Sequence, residues 1–201
     1  LEDLYETPDI VAGQVLKKTY AAVPVVNCSE HWIRNAQLHI PGDSNFSPFM
    51  LELPPLAPQT TIKIPFQISM HTPVSHKKIG EIHPLSLRIE RDNETLFAMQ
   101  LPFRIKDIKE PHKLTYLSEC DGSVQYFVLT YPKNYNPEKQ YALRVYLHGG
   151  GDIAAETMYI ISPKEWAFIL APTNRRPGGW EWWDFARSNI FESMDYTIKT
   201  F

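Results

Sequence analysis

Across the first half of this chain, apolar side chains recur at every second position in short runs separated by prolines, and no stretch carries the period of a helix. Val23-Pro-Val-Val-Asn27, Ala36-Gln-Leu-His-Ile40, Thr61 to Ile68, Leu85 to Glu90 and Leu96 to Ile105 all follow this pattern. Successive side chains of a strand point to opposite faces, so a period of two predicts strands with one face buried and one in water. Arg91-Asp-Asn-Glu94 predicts a hairpin turn between the last two runs, while Pro54, Pro55 and Pro58 interrupt the middle of the region. Several strands with regular turns and no helices between them predict a β-sandwich of immunoglobulin-like type over residues 1–109.

At Lys106-Asp-Ile-Lys-Glu-Pro-His112 the chain becomes charged and loses its period, which marks a domain boundary. Beyond it, Ser123 to Thr130 reads as a strand. Leu143 to Leu147 and Trp166 to Ala171 are nearly continuous apolar runs, the pattern of strands buried on both faces of a parallel sheet. Ile190, Met194 and Ile198 then recur every four residues beside Phe191 and Phe201, predicting a helix from Asp184 or Ser188 with one apolar face. Residues 110–201 are therefore expected to form the first part of an α/β domain, a parallel sheet with helices.

The apolar run from Tyr141 ends abruptly in His148-Gly149-Gly150-Gly151. Glycines at the end of a buried strand allow close approach and unusual dihedrals, so their backbone N–H groups can be aimed at an oxyanion. The plain alternative is a glycine-rich turn with no ligand. A second candidate segment is Asn174-Arg-Arg-Pro-Gly-Gly-Trp-Glu-Trp-Trp-Asp184, which follows the second apolar run. Arg175 or Arg176 could meet a carboxylate, and Trp180, Trp182 or Trp183 could stack on a sugar or an aromatic group. Equally, Arg175 or Arg176 could pair internally with Glu181 or Asp184, with a tryptophan spent on packing. Ser118, Glu119, Asp121 and Ser123 read as a solvated turn.

Taken together, Asp121-Gly-Ser-Val-Gln-Tyr-Phe-Val128, Tyr131-Pro-Lys-Asn-Tyr135, Leu147-His-Gly-Gly-Gly151, Ser162-Pro-Lys-Glu-Trp-Ala-Phe-Ile169 and Ala171-Pro-Thr-Asn-Arg-Arg-Pro-Gly-Gly-Trp180 are similar to the opening of α/β-hydrolases of the prolyl oligopeptidase-like and esterase group. Several bacterial members of that group carry an N-terminal β-sandwich. The resemblance covers Pro111 to Phe201 and, more loosely, the residues before. It implies that Gly149, Gly150 and Gly151 form an oxyanion loop, with Arg175, Arg176, Trp180 and Trp183 toward the substrate. The nucleophilic serine, acid and histidine of the group map onto no residue here, and no Gly-x-Ser-x-Gly elbow occurs. The implied function is thus the front part of a serine hydrolase of carboxylic esters, acylated carbohydrate among the candidate substrates, and inactive by itself. A prolyl oligopeptidase-like peptidase shares the same front end, and a non-catalytic glycan- or protein-binding module is the reading from another class. An α/β sheet ending after one helix leaves an open edge and an apolar face, which implies self-association or association with the remaining hydrolase portion.

Charge and cysteine content narrow the rest. A formal net charge of −3 gives no footprint for nucleic acid or an anionic membrane. No apolar run approaches the roughly 20 residues of a transmembrane helix. Leu1-Glu-Asp-Leu-Tyr-Glu6 has no signal-peptide character, and removal of a signal leaves a secreted or periplasmic location open. Cys28 and Cys120 read as buried or half-buried free thiols, and the seven scattered histidines lack metal-ligand spacing, so neither a metal nor a cofactor is expected.

Overall fold

The computed structural model describes residues 5–149, 154, 158, 161–175, 182, 183 and 185–201. The chain divides into two compact units, Leu1–Ile105 and Lys106–Phe201.

The first unit contains β1 (Ile10–Val11), β2 (Thr19–Asn27), β3 (Gln37–Ile40), β4 (Phe49–Glu52), β5 (Thr60–Ile68), β6 (Ile82–Arg91) and β7 (Glu94–Lys106). One sheet has the order β1-β7-β6-β3-β4, and β2 pairs with β5 in a second. Along most of both sheets alternate side chains enter one core, Val23, Ile64 and Phe66 from the smaller and Leu38, Leu87, Leu101 and Phe103 from the larger. The hairpin between β6 and β7 turns at Asp92 and Asn93, both with positive φ. β1 and β4 are too short for the period-two pattern to reveal.

Strand prolines sit where their missing N–H costs nothing. Pro84 lies opposite Pro102, a pair that cannot exchange ladder bonds, so the backbone groups of both point away from each other. The Pro102 carbonyl accordingly faces outward, where the Thr7 hydroxyl donates to it at 3.3 Å. On β2, Ala22 exchanges both of its backbone bonds with Glu6, so Ala22 and, two residues on, Pro24 present their backbone to the outer edge.

Two polar side chains lock the loops of this unit. Asn27, almost fully buried, donates through Nδ2 to the carbonyls of His31, Leu56 and Ala57 at 2.8, 3.1 and 3.0 Å, and its Oδ1 accepts from Ser29. Asp43 accepts from the backbone N–H groups of Asn45 and Phe46, each at 2.7 Å, while its other oxygen lies 2.7 Å from His83 Nε2. The neighbouring Gly42 has φ +76°, and a Cβ there would lie 2.8 Å from the Phe46 carbonyl, so the turn requires glycine. Partial burial alone would raise the Asp43 carboxyl, but the Phe46 and Asn45 N–H groups and His83 together hold it below the ordinary carboxylate value. A depressed folded pKa means that the stabilisation is complete above the unfolded value, near 4, and is lost as pH falls through the lower folded value. Calorimetry between pH 6 and pH 2 is expected to show Asp43→Asn melting below the native protein at pH 6, with the gap narrowing toward pH 2. A gap independent of pH would contradict this assignment.

The second unit contains β8 (His112–Leu117), β9 (Val124–Thr130), β10 (Ala142–Val145), β11 (Ala167–Pro172) and the helix α1 (Phe185–Thr200). Its sheet has the order β10-β11-β9-β8. The expected parallel sheet with helices is corrected here, since among the described residues only β10 and β11 pair in parallel, while β11 with β9 and β9 with β8 are antiparallel. Connection length is the reason. The turn from Leu117 to Val124 is too short for a crossover, whereas the stretch from Val145 to Ala167 is long enough for one. β11 is buried along its whole length, as its apolar run predicts, but β10 is an edge strand with Ala142 and Arg144 exposed.

The helix also departs from expectation. Its buried face is Ala186, Asn189, Ser193 and Thr197, and the apolar stripe lies elsewhere, with Phe191 and Ile198 more than half exposed. Small side chains let the helix sit close to the sheet, and their hydroxyls are satisfied within the helix, Ser193 donating to the Ile190 carbonyl and Thr197 to the Ser193 carbonyl. Packing there comes from rings, Tyr196 meeting Phe127 edge-on and lying obliquely against Tyr116. Cys28 and Cys120 are exposed free thiols, contrary to the expected burial.

Candidate functional site

The parallel pairing of β10 with β11 brings the chain segments that follow both strands to one edge of the second sheet. Because β9 runs antiparallel, with Phe127 opposite Pro172, the β8–β9 turn arrives at the same edge. Residues Tyr146–Gly149, Thr173–Arg175 and Ser118–Ser123 are thereby gathered.

Tyr146 continues the ladder by donating to the Leu170 carbonyl, after which the backbone leaves the sheet. His148 is buried, its ring 4.8 Å from that of Trp182 in a T-shaped contact, and Trp182 Nε1 donates to the His148 carbonyl at 3.3 Å. His148 Nδ1 lies 3.0 Å from the Gly149 carbonyl and donates to it when protonated there. Gly149 itself is exposed. Gly150, Gly151, Arg176, Trp180, Glu181 and Asp184 lie outside the described residues. Trp183 is 69% exposed, with its surface open to solvent.

Arg175 is placed differently from any pairing the sequence suggests. Asn174 and Arg175 both adopt positive φ, which turns the chain sharply back over the sheet edge. The Arg175 side chain, 9% exposed, donates from Nη1 to Asp121 at 2.8 Å and from Nη2 to Glu192 at 3.1 Å, with Ser118 Oγ also against Nη2. Glu192 accepts in turn from the Ser118 hydroxyl and the Cys120 N–H. Beneath it, Asn189 accepts from the Thr173 N–H through Oδ1 and donates to the Tyr116 hydroxyl through Nδ2 at 2.7 Å. Burial, reinforced by the nearby Glu192 carboxylate, pushes the Tyr116 phenol well above its ordinary value, keeping it neutral. Desolvation would raise the Asp121 carboxyl, but Ser123 and Arg175 hold it below the ordinary range.

Ser118 is therefore no solvated turn residue. It is buried within an ionic network that ties the β8–β9 turn, the segment after β11 and α1 together. Ser118, Asp121, Asn189 and Glu192 lie 57, 54, 16 and 17 positions from their partners in this network, and no local spacing signals such a set. The aromatic and glycine clusters, by contrast, are visible as strings of letters. No group of three or more His, Cys, Asp or Glu side chains that could hold a metal occurs among the described residues.

No family model matches this chain, and no curated protein matches it. Among solved structures, the crystal structure of a thermostable esterase aligns with a TM-score of 0.31 and 11% identity, over 96% of this chain and 66% of that one. The chain thus spans about two thirds of the esterase's length. No described helix is long and apolar enough to cross a membrane.

Proposed function

We propose that this chain is the front part of a serine hydrolase of carboxylic esters, acylated carbohydrates among them, with backbone N–H groups of Gly149, Gly150 and Gly151 as oxyanion donors. The observation that carries this reading is the buried His148, fixed by Trp182, at the point where β10 gives way to the glycines. Oxyanion donors stabilise a transition state when their geometry is set before reaction, and losing one costs roughly 3–4 kcal/mol. His148 serves here as the fixed root of the loop.

In this reading Trp183, Trp180 and Arg176 meet the substrate. Arg175, with both terminal nitrogens engaged by carboxylates, contributes by holding the segment on which they are carried. The nucleophile, acid and base come from residues other than these 201, which makes association with a further hydrolase portion part of the proposal. The exposed Phe191 and Ile198 of α1 and the position of β10 at the edge of its sheet among the described residues suit such an association.

Fluorophosphonate labelling of the natural protein, followed by intact mass measurement, tests this. The expected result is a mass above 23.2 kDa, with one labelled serine outside residues 1–201. A natural protein of 23.2 kDa that takes no label would overturn it.

A further inference from the structure

Two exposed lysine pairs far apart in sequence, Lys17-Lys18 and Lys77-Lys78, are brought to one end of the first unit, where β2 begins and β5 ends. The segments that carry them run side by side. Gly13 donates to the Val74 carbonyl at 2.9 Å, Met70 to the Leu16 carbonyl at 2.8 Å, and the Lys18 N–H to Ser69 Oγ at 3.2 Å. Gly13 has φ +80°, and a Cβ there would lie 2.6 Å from His76 Nε2, so this close approach requires glycine. Lys77 and Lys78 follow in a short 3-10 turn capped by Ser75. At strand spacing the Leu16–Met70 and Gly13–Val74 bonds stand roughly 10 Å apart. Lys17 and Lys18 lie beyond one of them and Lys77 and Lys78 beyond the other, with the exposed His71 and His76 between. The four ammonium groups thus form a stripe rather than a pocket.

This stripe lacks counter-charge. Residues 12–18 and 69–80 hold no carboxylate, and none of the four lysines makes an ion pair among the described residues, whereas Lys63, Arg88 and Arg175 all do. Two carboxylates border it. Glu81 follows Gly80, and Asp43 sits in the loop that bonds His71, but Asp43 is engaged by His83 and by two backbone N–H groups. Like charges gathered in this way repel one another, and a polyanion laid along them relieves the repulsion. The net charge of −3 for the whole chain conceals this local excess.

The residue types discriminate among anionic polymers. Neither an arginine nor a phenylalanine, tyrosine or tryptophan occurs in residues 12–18 or 69–80, so bases have no ring to stack on and phosphates no guanidinium fork. No exposed large apolar side chain stands in either segment, so nothing there enters a lipid bilayer. Lysine ammonium groups and imidazoles supply point charges and hydrogen bonds, which suit carboxylates spaced along a hydroxyl-rich chain. We propose that Lys17, Lys18, Lys77 and Lys78 bind an acidic polysaccharide whose carboxylates run along the stripe. The choice of a glycan rests on the hydrolase reading, and it makes the acylated carbohydrate an acidic one.

Binding of the natural protein to polygalacturonate, measured by calorimetric titration at low and at raised salt, tests this. Carboxyl-reduced polygalacturonate, duplex DNA and phosphatidylserine vesicles are compared with it. The expected result is saturable binding to polygalacturonate that weakens with salt, and none to the carboxyl-reduced polymer. Lys17→Gln, Lys18→Gln, Lys77→Gln and Lys78→Gln together are expected to weaken it at least tenfold. The same four changes at Lys133, Lys139, Lys164 and Lys199, which alter the net charge equally, are expected to leave it unchanged. No binding to polygalacturonate, equal loss in both quadruple variants, or equal or tighter binding of DNA or vesicles would each overturn the proposal, the last assigning the stripe to nucleic acid or to a membrane surface. Fluorophosphonate labelling judges the hydrolase reading separately. A labelled serine without polygalacturonate binding overturns this inference alone, and binding without a label overturns the hydrolase reading alone.

Discussion

Arg175→Ala is expected to lower the stability of the second unit by about 3 kcal/mol, the low end of the range for breaking a buried pair from one side. The substitution leaves Glu192, 18% exposed, and Asp121, roughly half exposed, without their cation while Ser118 remains buried between them. The exposure of Asp121 is the reason for choosing the low end, since solvent screens that arm of the network. Four of the five tryptophans, Trp166, Trp180, Trp182 and Trp183, belong to this unit, so urea unfolding followed by tryptophan fluorescence reports on it. With a slope of about 2 kcal/mol per molar urea, the midpoint falls by about 1.5 M. Adding Glu192→Gln recovers part of the loss by removing the stranded charge, whereas Arg175→Lys recovers less than a full fork because a single ammonium cannot serve two carboxylates at once. A midpoint change below about 0.5 M for Arg175→Ala would show the network to be solvated and the segment held by other contacts.

In the first unit the largest expected effect belongs to Asn27→Asp. The two N–H groups of the native amide are shared among three carbonyl oxygens, those of His31, Leu56 and Ala57, which also accept from the Ser29 hydroxyl, the Ile33 N–H and the Thr60 hydroxyl in turn. A carboxylate at the same position turns three hydrogen bonds into three repulsions in a buried site, with an expected loss of about 3 kcal/mol at neutral pH. The folded protein favours the neutral acid there, so the folded pKa of the new group lies above its unfolded value. The variant is therefore least impaired below about pH 4 and loses stability as pH rises through the raised folded value. Asn27→Ala, which removes the amide but leaves the carbonyls their Ser29, Ile33 and Thr60 donors and brings in no charge, is expected to fall between the two at pH 7 and to show no such trend. Thermal melts by circular dichroism at pH 3.5 and pH 7 distinguish these outcomes, and an Asp variant whose loss is the same at both pH values would refute the account.

How much of this was legible beforehand differs by element. β2, β3, β5, β6, β7, β9 and β11 are visible as alternation or as a continuous apolar run, because the period of two is a direct consequence of strand geometry. β8 carries no such mark: His112 to Leu117 mixes Lys113 and Thr115 with Leu114 and Tyr116, and its burial comes from α1 and β9, which no local pattern can announce. The apolar stripe Ile190, Met194 and Ile198 correctly located a helix but not the face it buries. Asn189 overrides hydrophobicity there, because its amide satisfies both the Thr173 N–H and the Tyr116 hydroxyl under the helix. Leu143 and Val145 read as strand interior, yet β10 is a half-exposed edge, since burial on the second face depends on a neighbouring strand.

By itself, the amino-acid sequence determined the strand-rich character of the chain, the hairpin at Arg91–Glu94, the change of pattern near Lys106 and the glycine cluster after Leu147. Those are local properties, carried by periodicity and by residues whose backbone preferences act within a few positions. Tertiary structure alone decided that the second sheet is mixed, that Arg175 belongs to Asp121 and Glu192, and that Phe97, in phase along β7 with the buried Leu101 and Phe103, is 51% exposed. Each of these depends on which strand lies beside which. That choice is made by connection lengths and long-range packing, and leaves no mark on the residues taken one segment at a time.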